Sequence, residues 1–124
     1  MACGRQQRGQ KAQRLGIAAE VAACHALAAD GWAVLARRLR TASGEIDIVA
    51  ERAGLLALIE VKARPTLAAA AAALGPRQRA RLLAAAETVL AEHPGWGREG
   101  VRFDVLLVDA AGQVRRIADA FRAE

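Results

Sequence analysis

The run Leu55-Leu56-Ala57-Leu58-Ile59-Glu60-Val61-Lys62 is apolar at every position until its end. A strand with one wet face alternates, so this run reads as a strand covered on both faces, which demands layers above and below a sheet. The preceding run, Glu45-Ile46-Asp47-Ile48-Val49-Ala50, alternates at its start, which turns Glu45 and Asp47 away from Ile46 and Ile48. Glu60 and Lys62 share a face at the end of the buried strand.

The turn between the runs decides whether these acids meet. A two-residue Ala53-Gly54 loop, or a four-residue one, makes Asp47 directly oppose Glu60 in an antiparallel pair, with Cβ atoms about 4.5 to 5.5 Å apart. A three-residue loop without a bulge would put the acids on different faces. Two close carboxylates at a buried strand end repel each other and lose solvation unless a cation neutralises them. Mg²⁺, or Mn²⁺ in its place, prefers oxygen ligands and keeps several waters, so Asp47, Glu60 and a strand carbonyl such as that of Val61 would suffice. Lys62 is then placed to orient an activated water or to offset charge on phosphoryl oxygens. The alternative is an exposed hairpin whose Asp47, Glu60 and Lys62 form a weak surface ion network.

Before these strands, Ile17, Val21, Cys24, Leu27 and Ala28 recur at helical spacing from about Lys11 to Asp30, with Gly31 as a stop. Glu20 falls on that apolar stripe, where a carboxylate needs a partner. It has two readings: a structural salt bridge to a core arginine, or a place at the edge of the metal site holding a metal-bound water or Lys62.

The residues Leu15-Gly16, Ala19-Glu20, Gly31-Trp32, Gly44-Glu45-Ile46-Asp47, Glu60-Val61-Lys62-Ala63-Arg64, Arg77-Gln78, Arg81-Leu82 and Arg102-Phe103-Asp104-Val105 together resemble the YraN-like family of small bacterial proteins, in the PD-(D/E)XK nuclease superfamily. The resemblance runs over nearly the whole chain. It implies an α/β restriction-endonuclease-like core, a mixed central sheet flanked by helices. It also implies that Asp47, Glu60 and Lys62 are the catalytic acid, acid and lysine, with Glu20 as the helix-one glutamate. Family members commonly carry asparagine where Arg38 sits and lysine where Arg77 sits.

Among the 124 residues, 54% are hydrophobic, enough to argue against disorder, and only 3% are aromatic, so a core must come from aliphatic side chains. The net charge of +5 is carried by arginine, since Lys11 and Lys62 are the only lysines. Arg37, Arg38, Arg40, Arg64, Arg77 and Arg81 are the candidate nucleic-acid contacts, read through backbone charge more than base stacking. A solvated basic surface is the plainer alternative. On helix two, which Pro76 opens, Leu82, Leu83, Ala86, Val89 and Leu90 trace the buried stripe, Arg77 and Arg81 lie together on the solvated side, and Arg79 falls toward the apolar side. Trp32 and Phe103 suit core packing. The alanine run from Ala68 to Ala73 is a flap over the site or an extension of the helix. Cys3 and Cys24 are not spaced as a metal pair and read as free thiols of a cytoplasmic protein.

The expected architecture is α-β-β-β-α-β with a candidate last strand near Val114 to Ile117. Residues 1 to 10 form a basic tail, and 11 to 124 one nuclease-like domain. The leading expectation is a Mg²⁺-dependent endonuclease hydrolysing DNA phosphodiesters at branched or structured sites. A non-catalytic nucleic-acid-binding or adaptor domain is the alternative, and an interaction protein without a nucleic-acid role is a third. Expected partners are nucleic acid, DNA ahead of RNA, and a second copy of the chain; no membrane partner is expected.

Overall fold

A turn of two left-handed residues organises the sheet. In the computed structural model, which describes residues 2–66, 68–69 and 75–121 and the side chains of 16–66, 68–69 and 75–117, Ala53 (φ 51°) and Gly54 (φ 81°) join strand β2 (Gly44–Arg52) to β3 (Leu55–Ala63). Two positive-φ residues give the hairpin loop whose twist matches that of its strands. The pairing runs from Arg52↔Leu55 to Ile48↔Ile59. This is the register expected of the two-residue loop, and it ends one residue short of Asp47 and Glu60. Gly54 also has no room for a side chain, because a Cβ there would lie 2.6 Å from Glu99 Cγ. Ala53 is the weak member, since a left-handed alanine costs roughly 1 kcal/mol that asparagine largely avoids. Ala53→Asn should therefore raise unfolding stability by about 1 kcal/mol, read as a higher urea midpoint with an unchanged m-value.

Helix α1 (Ala2–Ala29) and strand β1 (Ala33–Thr41) precede the hairpin; helix α2 (Pro76–Glu92) and strands β4 (Gly100–Val108) and β5 (Val114–Phe121) follow. Spatial order equals chain order, β1-β2-β3-β4-β5, and only β3 and β4 are parallel, which is the pair that α2 connects. The fifth strand, suggested by the turn at Asp109-Ala110-Ala111-Gly112, is present. Helices cover both sheet faces. Leu82, Ala85, Ala86 and Val89 of α2 pack on Val49, Leu56, Leu58 and Phe103; Ala23 and Leu27 of α1 pack on Trp32, Ile48, Ala57, Ile59 and Leu106. Leu56 to Ile59 are at most 1% exposed, so β3 is covered on both faces as its unbroken apolar run requires.

Helix α1 departs from expectation twice. It starts at Ala2, so the backbone of residues 2–10, read as a tail, is helical; glutamine, arginine and alanine there are good helix formers. Its buried stripe is Ala19, Glu20, Ala23 and Leu27, with Cys24 half-buried, while Ile17 (41%) and Val21 (40%) are exposed and Ala28 is on the surface. The helix is rotated so that its smallest side chains meet the sheet. Of the run Ala68 to Ala73, only Ala68 and Ala69 lie among the described residues, helical and begun by Thr66 Oγ1 accepting from the Ala69 N–H. No helix among the described residues is long and apolar enough to cross a membrane.

A second charge cluster sits under α1, toward the hairpin turn and away from Asp47 and Glu60. Asp104 of β4 is fully buried and accepts from Arg116 Nε (2.9 Å) and Arg102 Nη2 (3.2 Å). The guanidiniums of Arg52, Arg102 and Arg116 lie 4.7, 5.1 and 4.6 Å from the centre of the buried Trp32 ring. Asp30, at the end of α1, accepts from Arg52 and Arg116. An ion-paired acid and one aromatic ring thus tie α1, β1, β2, β4 and β5 together.

Candidate metal centre

Strict alternation fails at one rung of the sheet, and the acids are found there. Ile46 packs on the α2 side and Ile48 on the α1 side, whereas an even pleat would put both on one side. The β2–β3 pairing stops at Ile48↔Ile59, and the Val61 N–H donates to Asp47 Oδ2 at 2.8 Å. Asp47 therefore lies between the strands, fastened to the backbone, rather than simply opposite Ile46 and Ile48 in direction. Across β2, Arg38 occupies the left-handed region at φ 51°. That conformation lets neighbouring Arg37 and Arg38 turn to the same acid: Arg37 Nε is 3.2 Å from Glu20 Oε1, and Arg38 Nε is 2.9 Å from Glu20 Oε2.

Glu20 is buried and spends both oxygens on these two arginines. Of its two readings, the salt bridge is formed, with surface arginines of β1 rather than a core one. Its charge still reaches the neighbouring centre, where it adds to the forces raising Asp47. The hydrogen bond to Glu20 raises the Arg38 pKa above its ordinary value.

Glu60 is 5% exposed at the rim of the hydrophobic sheet. Its Oε1 accepts from Gln78 Nε2, lies 3.3 Å from Lys62 Nζ, and has Arg81 Nη2 at 3.8 Å. Its Oε2 is buried and meets no hydrogen-bond partner among the described residues. A buried carboxylate oxygen without a donor costs several kcal/mol in the general case, so Oε2 is an open position for a donor or an ion. Burial first, then the charge of Glu60, pushes the Asp47 pKa up to about 6, against the opposing pull of the Val61 N–H and Lys62. Each acid thus has one oxygen anchored to the protein.

No group of three or more His, Cys, Asp or Glu side chains that could hold a metal is assembled among the described residues. Two carboxylates remain, which fits a Mg²⁺-sized ion that retains waters and fits a fully caged ion poorly. Cys24, half-buried, has its thiol pKa raised by burial and takes no part.

Of the candidate cationic contacts, Arg40 is 90% exposed and 3.7 Å from Glu45, Arg37 and Arg38 are half-exposed beside Glu20, and Arg64 and Arg77 are exposed. Arg81 does not share the solvated side with Arg77. It turns inward, donates to the Glu45 carbonyl at 3.0 Å and faces Glu60. Gln78, which carried no role in the sequence reading, joins it. The buried stripe Leu82, Ala85, Ala86, Val89 explains both: stepping back four residues from Leu82 and Ala85 gives Gln78 and Arg81, so the α2 stripe continues as two polar residues directly over the acids. Arg79, expected toward the apolar side, is exposed.

A family model described as "Uncharacterised protein family UPF0102" matches residues 19–108, which include Glu20, Asp47, Glu60, Lys62, Gln78 and Arg81. The chain is 68% identical over 117 residues to a UPF0102 protein of Granulibacter bethesdensis, spanning 94% of this chain and 74% of that one. It is 48% identical to a UPF0102 protein of Acidiphilium cryptum, spanning 93% and 89% of the two chains. A third relative, from Azorhizobium caulinodans, is 46% identical and is covered over 90% of its length. With a family model matching most of its length and relatives well above a third identical over about three quarters or more of theirs, the chain belongs to the uncharacterised protein family UPF0102.

Proposed function

We propose that this protein is a Mg²⁺-dependent endonuclease of the PD-(D/E)XK class, acting on DNA at branched or structured sites. The observation that carries the proposal is Glu60, whose buried Oε2 has no donor while Lys62 holds its Oε1, beside an Asp47 carboxyl with a raised pKa. Asp47 and Glu60 would hold the cation, together with the Val61 carbonyl. When bound, such an ion supplies a more acidic water and stabilises charge on a phosphate. Lys62, with a side chain 13% exposed and its Nζ paired with Glu60, would be a fixed donor for the attacking water or a phosphoryl oxygen. The exposed cations Arg40, Arg64 and Arg77 would attract the phosphate backbone without reading bases. Glu20 positions Arg37 and Arg38 beside Asp47, so it supports the centre through those arginines.

The test is a panel of duplex, single-stranded, flapped and four-way DNA incubated with Mg²⁺ or Mn²⁺. Cleavage is expected on at least one branched substrate, lost with chelator, and reduced about 10²- to 10⁴-fold in Lys62→Ala. Salt-dependent binding to every substrate with no cleavage under either ion would replace the proposal with a non-catalytic binding domain. Equal cleavage by Lys62→Ala and the parent would reveal a contaminating nuclease.

A further inference from the structure

The two oxygens of Glu60 are not equivalent. Oε1 accepts a hydrogen bond from Gln78 Nε2 and has Lys62 Nζ as an ion-pair partner at 3.3 Å, so the protein's donor and its nearest cation both meet this oxygen. Arg81 at 3.8 Å adds charge on the same side without displacing either. Oε2, equally buried, has none of these. The asymmetry is built by α2, whose polar first turns lie over the end of β3. It is also built by Gly44: a Cβ on that residue, at φ 140°, would sit 2.7 Å from Arg81 Nη1, so only glycine leaves the guanidinium its path to the Glu45 carbonyl and Glu60.

We propose that Gln78 and Arg81 are positioning residues that reserve Glu60 Oε1 for the protein, leaving Oε2 as its single ligand atom, and thereby set the centre to prefer Mg²⁺ or Mn²⁺ over Ca²⁺. This rests on the metal reading above and assigns its ion selectivity. A carboxylate that binds through one oxygen suits a small octahedral ion. One free to bind through both suits Ca²⁺, which takes more oxygens at longer distances. Removing the amide frees Oε1 to turn toward the ion beside Oε2. Gln78 is half-buried at the start of a helix where alanine is a good helix former, so its truncation should leave the fold intact.

The experiment is calorimetric titration of the full chain with Mn²⁺ and separately with Ca²⁺, for the parent, Gln78→Ala and Arg81→Lys, with metal-free melting curves for each. Outer residues that orient a ligand typically contribute 10- to 100-fold to metal affinity. In Gln78→Ala, Mn²⁺ affinity should fall by about that factor while the ratio of Ca²⁺ to Mn²⁺ affinity rises at least about tenfold. Arg81→Lys, which keeps the charge but loses the fork reaching Glu45 and Glu60, should move the ratio the same way and covers the case that Gln78→Ala misfolds. Unchanged affinities, or an equal loss for both ions, overturn the proposal. A parent chain that binds neither ion overturns the metal reading itself and this proposal with it, whereas Mn²⁺ binding with an unmoved ratio removes this proposal alone.

Discussion

Asp47→Asn is expected to melt at a higher temperature than the parent above pH 6 in chelator, and to lose cleavage in Mg²⁺ by about 10²- to 10³-fold or more. The stability half follows from burial. Asp47 titrates near 3.8 in an unfolded chain and at about 6 in the folded one, chiefly because it is desolvated and faces Glu60. A folded pKa above the unfolded one means that the group costs nothing below pH 3.8. It destabilises progressively as pH rises from there to 6, and the full cost persists above. At ~1.36 kcal/mol per unit, the shift corresponds to about 3 kcal/mol as an upper value. The asparagine amide oxygen can still accept from the Val61 N–H, so the variant keeps the anchor and drops the charge.

Scanning the melting temperature from pH 4 to 8 should show the parent losing stability across the 3.8 to 6 window and Asp47→Asn staying flat there. The difference at pH 7.5 is expected to be several degrees. Adding Mg²⁺ should then close the gap, raising the parent and leaving the variant unmoved, because a cation offsets the repulsion that created the penalty. A parent curve that is insensitive to both pH and Mg²⁺ would contradict a strained acid pair at this rung. Gain in stability together with loss of activity is the signature of a charged site maintained at a cost to the fold.

Asp104→Ala should produce the opposite result. Its carboxylate is fully buried with Arg102 and Arg116 on it, and both arginines are about four-fifths buried. Truncating one member of such a cluster leaves the others desolvated without compensation, a loss of about 3 to 5 kcal/mol. In a domain whose stability is about 5 kcal/mol, the lower end of the ordinary range, that is enough to bring the urea midpoint close to zero. The damage should spread, since the same guanidiniums flank Trp32 and Arg116 also pairs with Asp30. Quenching of Trp32 fluorescence and the loss of far-UV signal should therefore coincide in one transition. A change under 1 kcal/mol would mean that the arginines rehydrate freely. Replacing Arg102 and Arg116 by methionine in the Asp104→Leu background should restore much of the loss, because the apolar substitute removes every unpaired charge at once.

Local pattern in the sequence carried far in this protein wherever neighbours along the chain decide the outcome. The unbroken run before Glu60 required cover on both faces, and α1 and α2 supply it. The Ala53-Gly54 turn, one of the loop lengths the sequence leaves open, sets the register down to Ile48↔Ile59, just short of the acids, because a turn of two left-handed residues fixes which residues pair. What stayed hidden depends on residues distant in sequence. Nothing near Asp104 announces Arg116 as a partner on the next strand. The rotation of α1 that exposes Ile17 and Val21 is set by how closely Ala19 and Ala23 approach the sheet. The irregularity at Arg38 and Asp47 is invisible to a period-two reading, which assumes an even pleat. Arginine reads as a solvent residue at Arg81, whereas the α2 stripe continues through it in polar form.

The arginines of β1 matter in one more way. In the strand order, β1 is an outer strand, and its outward row of N–H and C=O groups could template another chain. Arg37, Arg38 and Arg40 are crowded onto it, the pairing shifts between Val34 and Ala36, and Arg38 twists the backbone out of line. Like charges and a bent edge both oppose extending the sheet through another molecule. The outer strand beside β2 is thereby guarded against adding a strand from another molecule.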